Sequence, residues 1–313
     1  MRLVHPLYLN IKGAKDMKQS KKIKLNVTAF FFMAPALLAI LSIMVYPLIR
    51  GISIGFTDRL FTYDKYSFVG FKNYVDMTKD PLFWSSLYNS IKLTTLTVIG
   101  TMGLGLALAL LLNSDEKYIA FFRGILFIPW VLPSMVIAST FRWIYNDFYG
   151  YINYILVKYK IIPYSVNILA DTKLAWIGIL IPIIWCSYPF VMMVFLASLQ
   201  SIDKSFYEAA QIDGANRWQL FRYITIPALK PTFIIVAILQ IIWEFSAFDL
   251  VYLLTKGGPG DATLTLSLYI YRKAFGFKTV GYASALATVM FIILFSFTMI
   301  YFWVLRRNDN YEK

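Results

Sequence analysis

The sequence predicts an all-α integral membrane protein, one bundle of six transmembrane helices with a small helix-turn-helix on one face. Three observations predict it. Of the 313 residues, 59% are hydrophobic and only 15% charged, too polar-poor for a water-soluble domain. Apolar windows long enough to cross the hydrocarbon recur at about 27–49, 91–112, 123–144, 175–199, 231–254 and 283–305. Between the fourth and fifth runs lies YEAAQIDGANRWQLFRYITIPALKP, Tyr207 to Pro231, polar and amphipathic where its flanks are apolar.

Residues 1–25 read as a basic cytoplasmic tail, with Arg2, Lys12, Lys15, Lys18, Lys21, Lys22 and Lys24 set against Asp16 alone. An even number of spans puts both termini on one side, and Arg306 and Arg307 after the last run agree with the cytoplasm. The spanning domain is expected over residues 26–307, with residues 308–313 as a short cytoplasmic tail. A cleaved signal peptide competes for the first run, since MAPALLA has suitably spaced small residues. The run outlasts an ordinary signal core, which favours a retained helix.

The second run carries Gly100, Gly103, Gly105, Ala107 and Ala109, a small-residue surface suited to close helix packing. The first inward loop, NSDEKYIAFFR, is short, whereas the outward loops at about 50–90, 145–174 and 255–282 are long and aromatic-rich. The fourth run holds Trp185, Ser187 and Tyr188, aromatic and hydroxyl groups of the kind that suit sugars but also serve as interface anchors. The fifth run places Gln240, Glu244 and Asp249 on one expected helix. Positions 240 and 244 share a face, with Trp243 and Ser246 beside them. Such groups line a water-filled cavity or bond neighbouring helices together.

In the polar stretch, expected to span about residues 201–230, Ser205 to Glu208 has the form of a capping box and predicts a helix from Ser205. Gly214 supplies a turn, Asn216 and Gln219 a second cap, and Pro227 and Pro231 are expected to stop the second helix. The competing reading is an amphipathic hairpin lying on headgroups, anchored by Trp218, Phe221 and Tyr223.

The net charge of +13 does not point to nucleic acid, because the basic residues lie between apolar runs and not on a folded basic surface. One cysteine, Cys186, and one histidine, His5, exclude an internal disulfide and argue against a metal site or histidine catalysis. No catalytic residue is expected.

EAAQIDGANRWQLFRYITIPALKP resembles the EAA loop of binding-protein-dependent ABC importer permeases, with Glu208, Ala209, Ala210, Gly214 and the Ile226-Pro227 pair in their places. FVGFKNYVDMTKDPLFWSSLYNS, FIPWVLPSMVIASTFRWIYNDFYGYIN and FDLVYLLTKGGPGDATLTLSLYIYRKAF are similar to segments of the maltose, multiple-sugar and glycerol-3-phosphate type. The likeness is closest to the first of the two permeases that such systems pair. It implies the type I ABC importer permease fold and a coupling loop that seats in a groove of a cytoplasmic ATPase through Glu208, Ala209, Ala210, Asp213, Gly214 and Arg217. It further implies a second permease subunit, two ATPase subunits, an extracytoplasmic solute-binding protein and a cell-membrane location.

The cargo that the likeness implies is a carbohydrate, a di- or oligosaccharide, carried by alternating access. Trp185, Tyr188, Gln240, Trp243, Glu244, Ser246 and Asp249 are candidates to line its pathway. A glycerol phosphate remains open. GGPGDATL has glycines but no lysine, so no phosphate-cradling loop is present and ATP with its magnesium is expected on the partner chains, leaving this chain without a cofactor. The rival reading is an ion-gradient-driven transporter with Glu244 as proton or cation site. A polytopic membrane enzyme lacks the cluster of catalytic groups that it would need.

Overall fold

The computed structural model describes residues 32–63, 65–114 and 116–309, the side chains of 304–309 excepted. The basic tail and His5 lie outside the described residues. So do residues 310–313, most of the expected C-terminal tail. Apart from a single antiparallel bridge, Thr57 to Phe68, regular structure among the described residues is helical.

The chain falls into two compact units, divided between Ile54 and Gly55. The first contains α1, Phe32–Ile54, which widens into a π-turn at Leu41–Val45. The second contains the rest. Its helices are α2 (Lys72–Thr78), α3 (Pro81–Leu111), α4 (Lys117–Val131), α5 (Ser134–Ile144), α6 (Tyr151–Lys158) and α7 (Leu174–Gln200). There follow α8 (Lys204–Ile212), α9 (Arg217–Phe245), α10 (Asp249–Thr255), α11 (Leu266–Tyr271) and α12 (Val280–Asp309).

Five of these helices are long and apolar enough to cross a membrane unbroken, and α4 and α5, bent by 94° to each other, make a sixth only when the pair is counted as one span. The uninterrupted third run expected at 123–144 is thereby corrected. Pro133 has no N–H and drives Leu132 out of the helical region, so both residues are extended (ψ 135° and 140°) and a new helix starts at Ser134. α3 begins ten residues earlier than the apolar run suggested, because Asp80 caps it by accepting from the Leu82 amide and Pro81 fits the first helical position.

α3 and α7 form the most extensive helix pair, and α9 packs on both. Gly100 and Gly105 are what let α3 approach. A Cβ at Gly105 would come within 2.7 Å of Val191, and one at Gly100 within 2.4 Å of Ile184. Gly103 meets nothing within 4 Å and Ala107 is exposed, so the small-residue stripe splits between two faces.

Two apolar clusters fill the second unit. One gathers Leu93, Ile179, Ile183, Phe245, Leu266 and Leu286, the other Met102, Val191, Phe195, Leu229 and Val236. Along α3, α7 and α9 the residues of one cluster precede those of the other. At the changeover stand buried polar side chains: Thr94, Thr97 and Thr101 on α3, and Gln240 and Glu244 on α9.

Candidate functional site

The exposed end of the second unit is a helix-turn-helix. α8 starts at Lys204 and not Ser205. Its cap is Asp203, whose carboxylate accepts from the Ser205 amide at 2.9 Å and is held by that bond below the ordinary carboxylate range. The capping box expected from Ser205 and Glu208 is therefore corrected: Asp203 precedes the pair and does the capping. Glu208 is left exposed. The second box is present, with Asn216 and Gln219 bonded both ways at 2.7 and 2.9 Å. Between them Gly214 takes φ +85°, in the left-handed region that closes helix ends.

Glu208, Ala209, Asp213, Gly214 and Arg217 are all exposed and Ala210 half-buried, so the coupling candidates share one accessible knob. Ile212 at 86% and Trp218 at 68% exposure add apolar surface to it. Beside α8 runs a groove of about 1300 Å³ lined by Asn113, Glu116, Lys117, Tyr207, Glu208 and Gln211. Tyr207 ties the knob inward through its hydroxyl to Thr225, 3.0 Å away.

Pro227 and Pro231 do not stop the second helix, which is the larger correction. α9 runs unbroken from Arg217 to Phe245. A π-turn at Phe221–Thr225 opens the backbone just ahead of Pro227, which occupies the first turn after it. Pro231 sits inside the helix at an exposed position, where its missing N–H removes one backbone hydrogen bond without ending the helix.

At the far end of α9 the helix breaks. Ser246 donates to the carbonyls of Ile242 and Trp243, and Phe248 turns away with φ −125°. Asp249 then lies exposed in the first turn of a separate helix, so it does not share a helix with Gln240 and Glu244 as expected. The shared face of Gln240 and Glu244 is present and buried, with 1% and 6% of each exposed. The Ser187 hydroxyl donates to the Glu244 carboxylate at 3.1 Å, whereas both polar atoms of the Gln240 amide find no partner among the described residues. Trp243, 42% exposed, and Ser246, exposed, point to another face.

Trp243 belongs to an aromatic trio that sequence reasoning missed. Trp130 stacks on Phe190 with centroids 5.2 Å apart, and Trp243 meets Phe190 at 5.2 Å and Trp130 at 6.1 Å. Trp130 and Trp243 each stand just before a helix break, and the two helices that follow those breaks, α5 and α10, pack on each other. Tyr188 is instead buried, its hydroxyl donating to the Leu126 carbonyl. Trp185 is half-buried against Phe141.

At the opposite loops, Asp80 accepts from the hydroxyls of Tyr269 and Tyr282, the latter at 2.7 Å, while Lys273 lies over both rings. Burial pushes the Asp80 carboxyl up. The two tyrosine hydroxyls and the Leu82 amide, with Lys273 nearby, outweigh that and hold it below its ordinary value of 3.8. Among the described residues no group of His, Cys, Asp and Glu is arranged to hold a metal ion.

Residues 101–310 match the family described as "Binding-protein-dependent transport system inner membrane component". The chain is 36% identical to the sulfoquinovosyl glycerol transport system permease protein SmoG of Agrobacterium fabrum, over 91% of this chain and 92% of that one. It is 34% identical to the trehalose/maltose transport system permease protein MalF of Thermococcus litoralis, over 90% and 94%. Among solved structures it is similar to a chain of a bacterial ABC transporter involved in import of the acidic polysaccharide alginate, with TM-score 0.81 and 22% identity over 93% of this chain and 99% of that one. That likeness shows the type I ABC importer permease fold.

Proposed function

The chain belongs to the binding-protein-dependent transport inner membrane component family, and from that premise we propose that it moves a carbohydrate as one of two paired permeases. Family membership makes it a multi-pass membrane subunit of an ATP-driven importer and not an enzyme, and it sets aside the ion-gradient-driven transporter. The carbohydrate reading is supported by the sugars and sugar derivatives in the names of the relatives. It is supported also by the aromatic trio of Trp130, Phe190 and Trp243, whose ring faces suit the apolar faces of a sugar.

In this reading both termini and the knob at Gly214 face the cytoplasm, and two ATPase subunits there bind ATP and magnesium. Each paired permease presents one knob, and on this chain Glu208, Ala209, Ala210, Asp213 and Arg217 surround the turn. An extracytoplasmic binding protein delivers the cargo to the long loops on the other side. ATP-driven closure of the ATPases moves α8 and α9 together. Movement of α9 carries Trp243 and the break at Ser246, beyond which α10 packs on α5.

The observation that carries this reading is that α9 begins directly after the exposed turn, at Arg217, and runs unbroken to the buried Glu244, so the knob is joined to part of the expected pathway by one helix. The test is purification of the tagged chain from its native membrane in mild detergent, with co-purifying proteins identified. A second permease and an ATPase are expected, with nucleotide hydrolysis rising several-fold on addition of the loaded binding protein. Recovery of the chain alone would count against the assembly. A bound ligand other than a sugar would count against the cargo.

A further inference from the structure

The loop between α5 and α7 holds a cleft of about 460 Å³ on the surface of the second unit, distinct from the trio at the helix breaks. It falls within the roughly 300–1,000 Å³ typical of small-molecule sites. Its walls include Trp143, Phe148, Tyr151 and Tyr154, which are 56%, 91%, 60% and 59% exposed, together with Asp147 and Lys158.

These rings do not sit on a floppy loop. Asn146 accepts from the amides of Phe148 and Tyr149 at 2.9 and 3.1 Å. Asn153, 1% exposed, donates to the carbonyls of Tyr145, Asn146 and Val166 and accepts from the Val166 amide. Gly150 is wedged in, since a Cβ there would come within 2.3 Å of the Asn146 carbonyl. A buried amide with all its bonds made is thus used to hold a rim of aromatic faces out in the open, where free collapse would have buried them. Asp147 has neither hydrogen bond nor ion pair among the described residues. The nearest described interaction of Lys158 is with the Tyr154 ring, 5.5 Å from its Nζ.

We propose that this cleft is a second carbohydrate site, in which Trp143, Phe148, Tyr151 and Tyr154 stack on pyranose rings while Asp147 and Lys158 bind ring hydroxyls. A pyranose offers apolar C–H faces and a girdle of hydroxyls, which is the complement of flat rings beside a carboxylate acceptor and an ammonium donor held over the Tyr154 ring. A headgroup-level anchor has no use for a concave wall with a carboxylate in it, because anionic lipid repels that charge. A protein partner that covered the cleft would have to desolvate Asp147 and Lys158 along with the rings, which costs free energy unless it pairs both charges. The proposal rests on the carbohydrate reading of the cargo and adds a station formed by the end of α5 and the segment that follows it.

The test uses the full chain in lipid nanodiscs and the assembled importer in proteoliposomes, with a pool of glucose, galactose, maltose, trehalose, lactose and maltotriose. Saturation-transfer NMR is expected to mark the ring protons of the pool member that the importer takes up. Phe148→Leu/Tyr151→Leu/Tyr154→Leu keeps the apolar bulk and removes the ring faces, and is expected to weaken the signal roughly tenfold. Tyr159→Leu, on an exposed ring outside the cleft, is expected to leave it unchanged. Should the triple variant misfold, Asp147→Asn replaces one carboxylate oxygen and the charge by an amide NH2 and is expected to weaken binding several-fold.

Uptake of a pool sugar with no saturation transfer, or with transfer that neither variant lowers, overturns the cleft and leaves the carbohydrate reading standing. An importer that takes up none of the pool is tested with the ligand recovered from its binding protein, and a ligand other than a sugar overturns both. Loss of stimulation by the binding protein in the triple variant, with no transfer in the parent, makes the patch a protein dock and overturns the proposal. So does strong quenching of Trp143 by lipid brominated beside the headgroup.

Discussion

At Gly214 a Cβ meets nothing within 4 Å, so substitution costs only the left-handed backbone, about 1–2 kcal/mol. Gly214→Val is expected to leave the chain inserted and assembled while lowering uptake and ATPase stimulation at least several-fold. Uptake in proteoliposomes, compared with subunit stoichiometry, checks both halves. Gln240 poses the opposite problem, because its amide is buried with no partner among the described residues. Leucine at 240 relieves about 1–3 kcal/mol of desolvation cost, so Q240L is expected to raise the melting temperature of the isolated chain and to impair uptake. A fall in stability on that change would mean that the amide is paired within this chain. Trp130 and Phe190 were not legible in the sequence, since each sits in an apolar run where an aromatic is ordinary, and only folding brings them to Trp243.

Among elements, what the sequence disclosed depended on how each helix ends. The fourth run, expected at 175–199, emerges as Leu174–Gln200 because hydropathy and helix stop together at both ends. The breaks at Pro133 and Ser246 lie inside apolar runs, so composition passes over them. Pro227 and Pro231 suggested a stop, yet Pro227 falls in the first turn after the π-turn and the helix carries Pro231 at an exposed position. The type of the coupling element was legible from Gly214, Asn216 and Gln219, and its first cap was misplaced because Asp203 outcompetes Ser205. Pro133→Ala restores an N–H and lifts a helix penalty of about 3 kcal/mol. It is expected to slow amide exchange across 132–136 and to reduce uptake, since α5 would be drawn toward the line of α4 and away from α10. Hydrogen-exchange mass spectrometry with uptake measures both.

For the molecule as a whole, two predictions address what holds the second unit together. Gly105→Val forces a side chain against Val191 and the Met192 backbone, and is expected to destabilise by about 1–3 kcal/mol or more, read as a lower midpoint of unfolding in detergent. Asp80 joins the start of α3 to α11 and α12 through Tyr269 and Tyr282. Its carboxyl titrates below 3.8 when folded, so its contribution is complete above that ordinary value and is lost as pH falls through the lowered one. Asp80→Asn is expected to lower the melting temperature at pH 7 and to remove part of its fall between about pH 5 and pH 2, as thermal scans across pH would show. The unbroken course of α9 has a mechanical meaning at this scale. Its 29 residues make a rod about 44 Å long, and the 20 residues beyond the π-turn span about 30 Å of it. With the π-turn as fulcrum, a tilt of about 10° sweeps the Glu244 end sideways by about 5 Å, one helical pitch. The rod is thus a lever whose long arm lies in the membrane, so a small stroke at Gly214 is magnified where the pathway is expected.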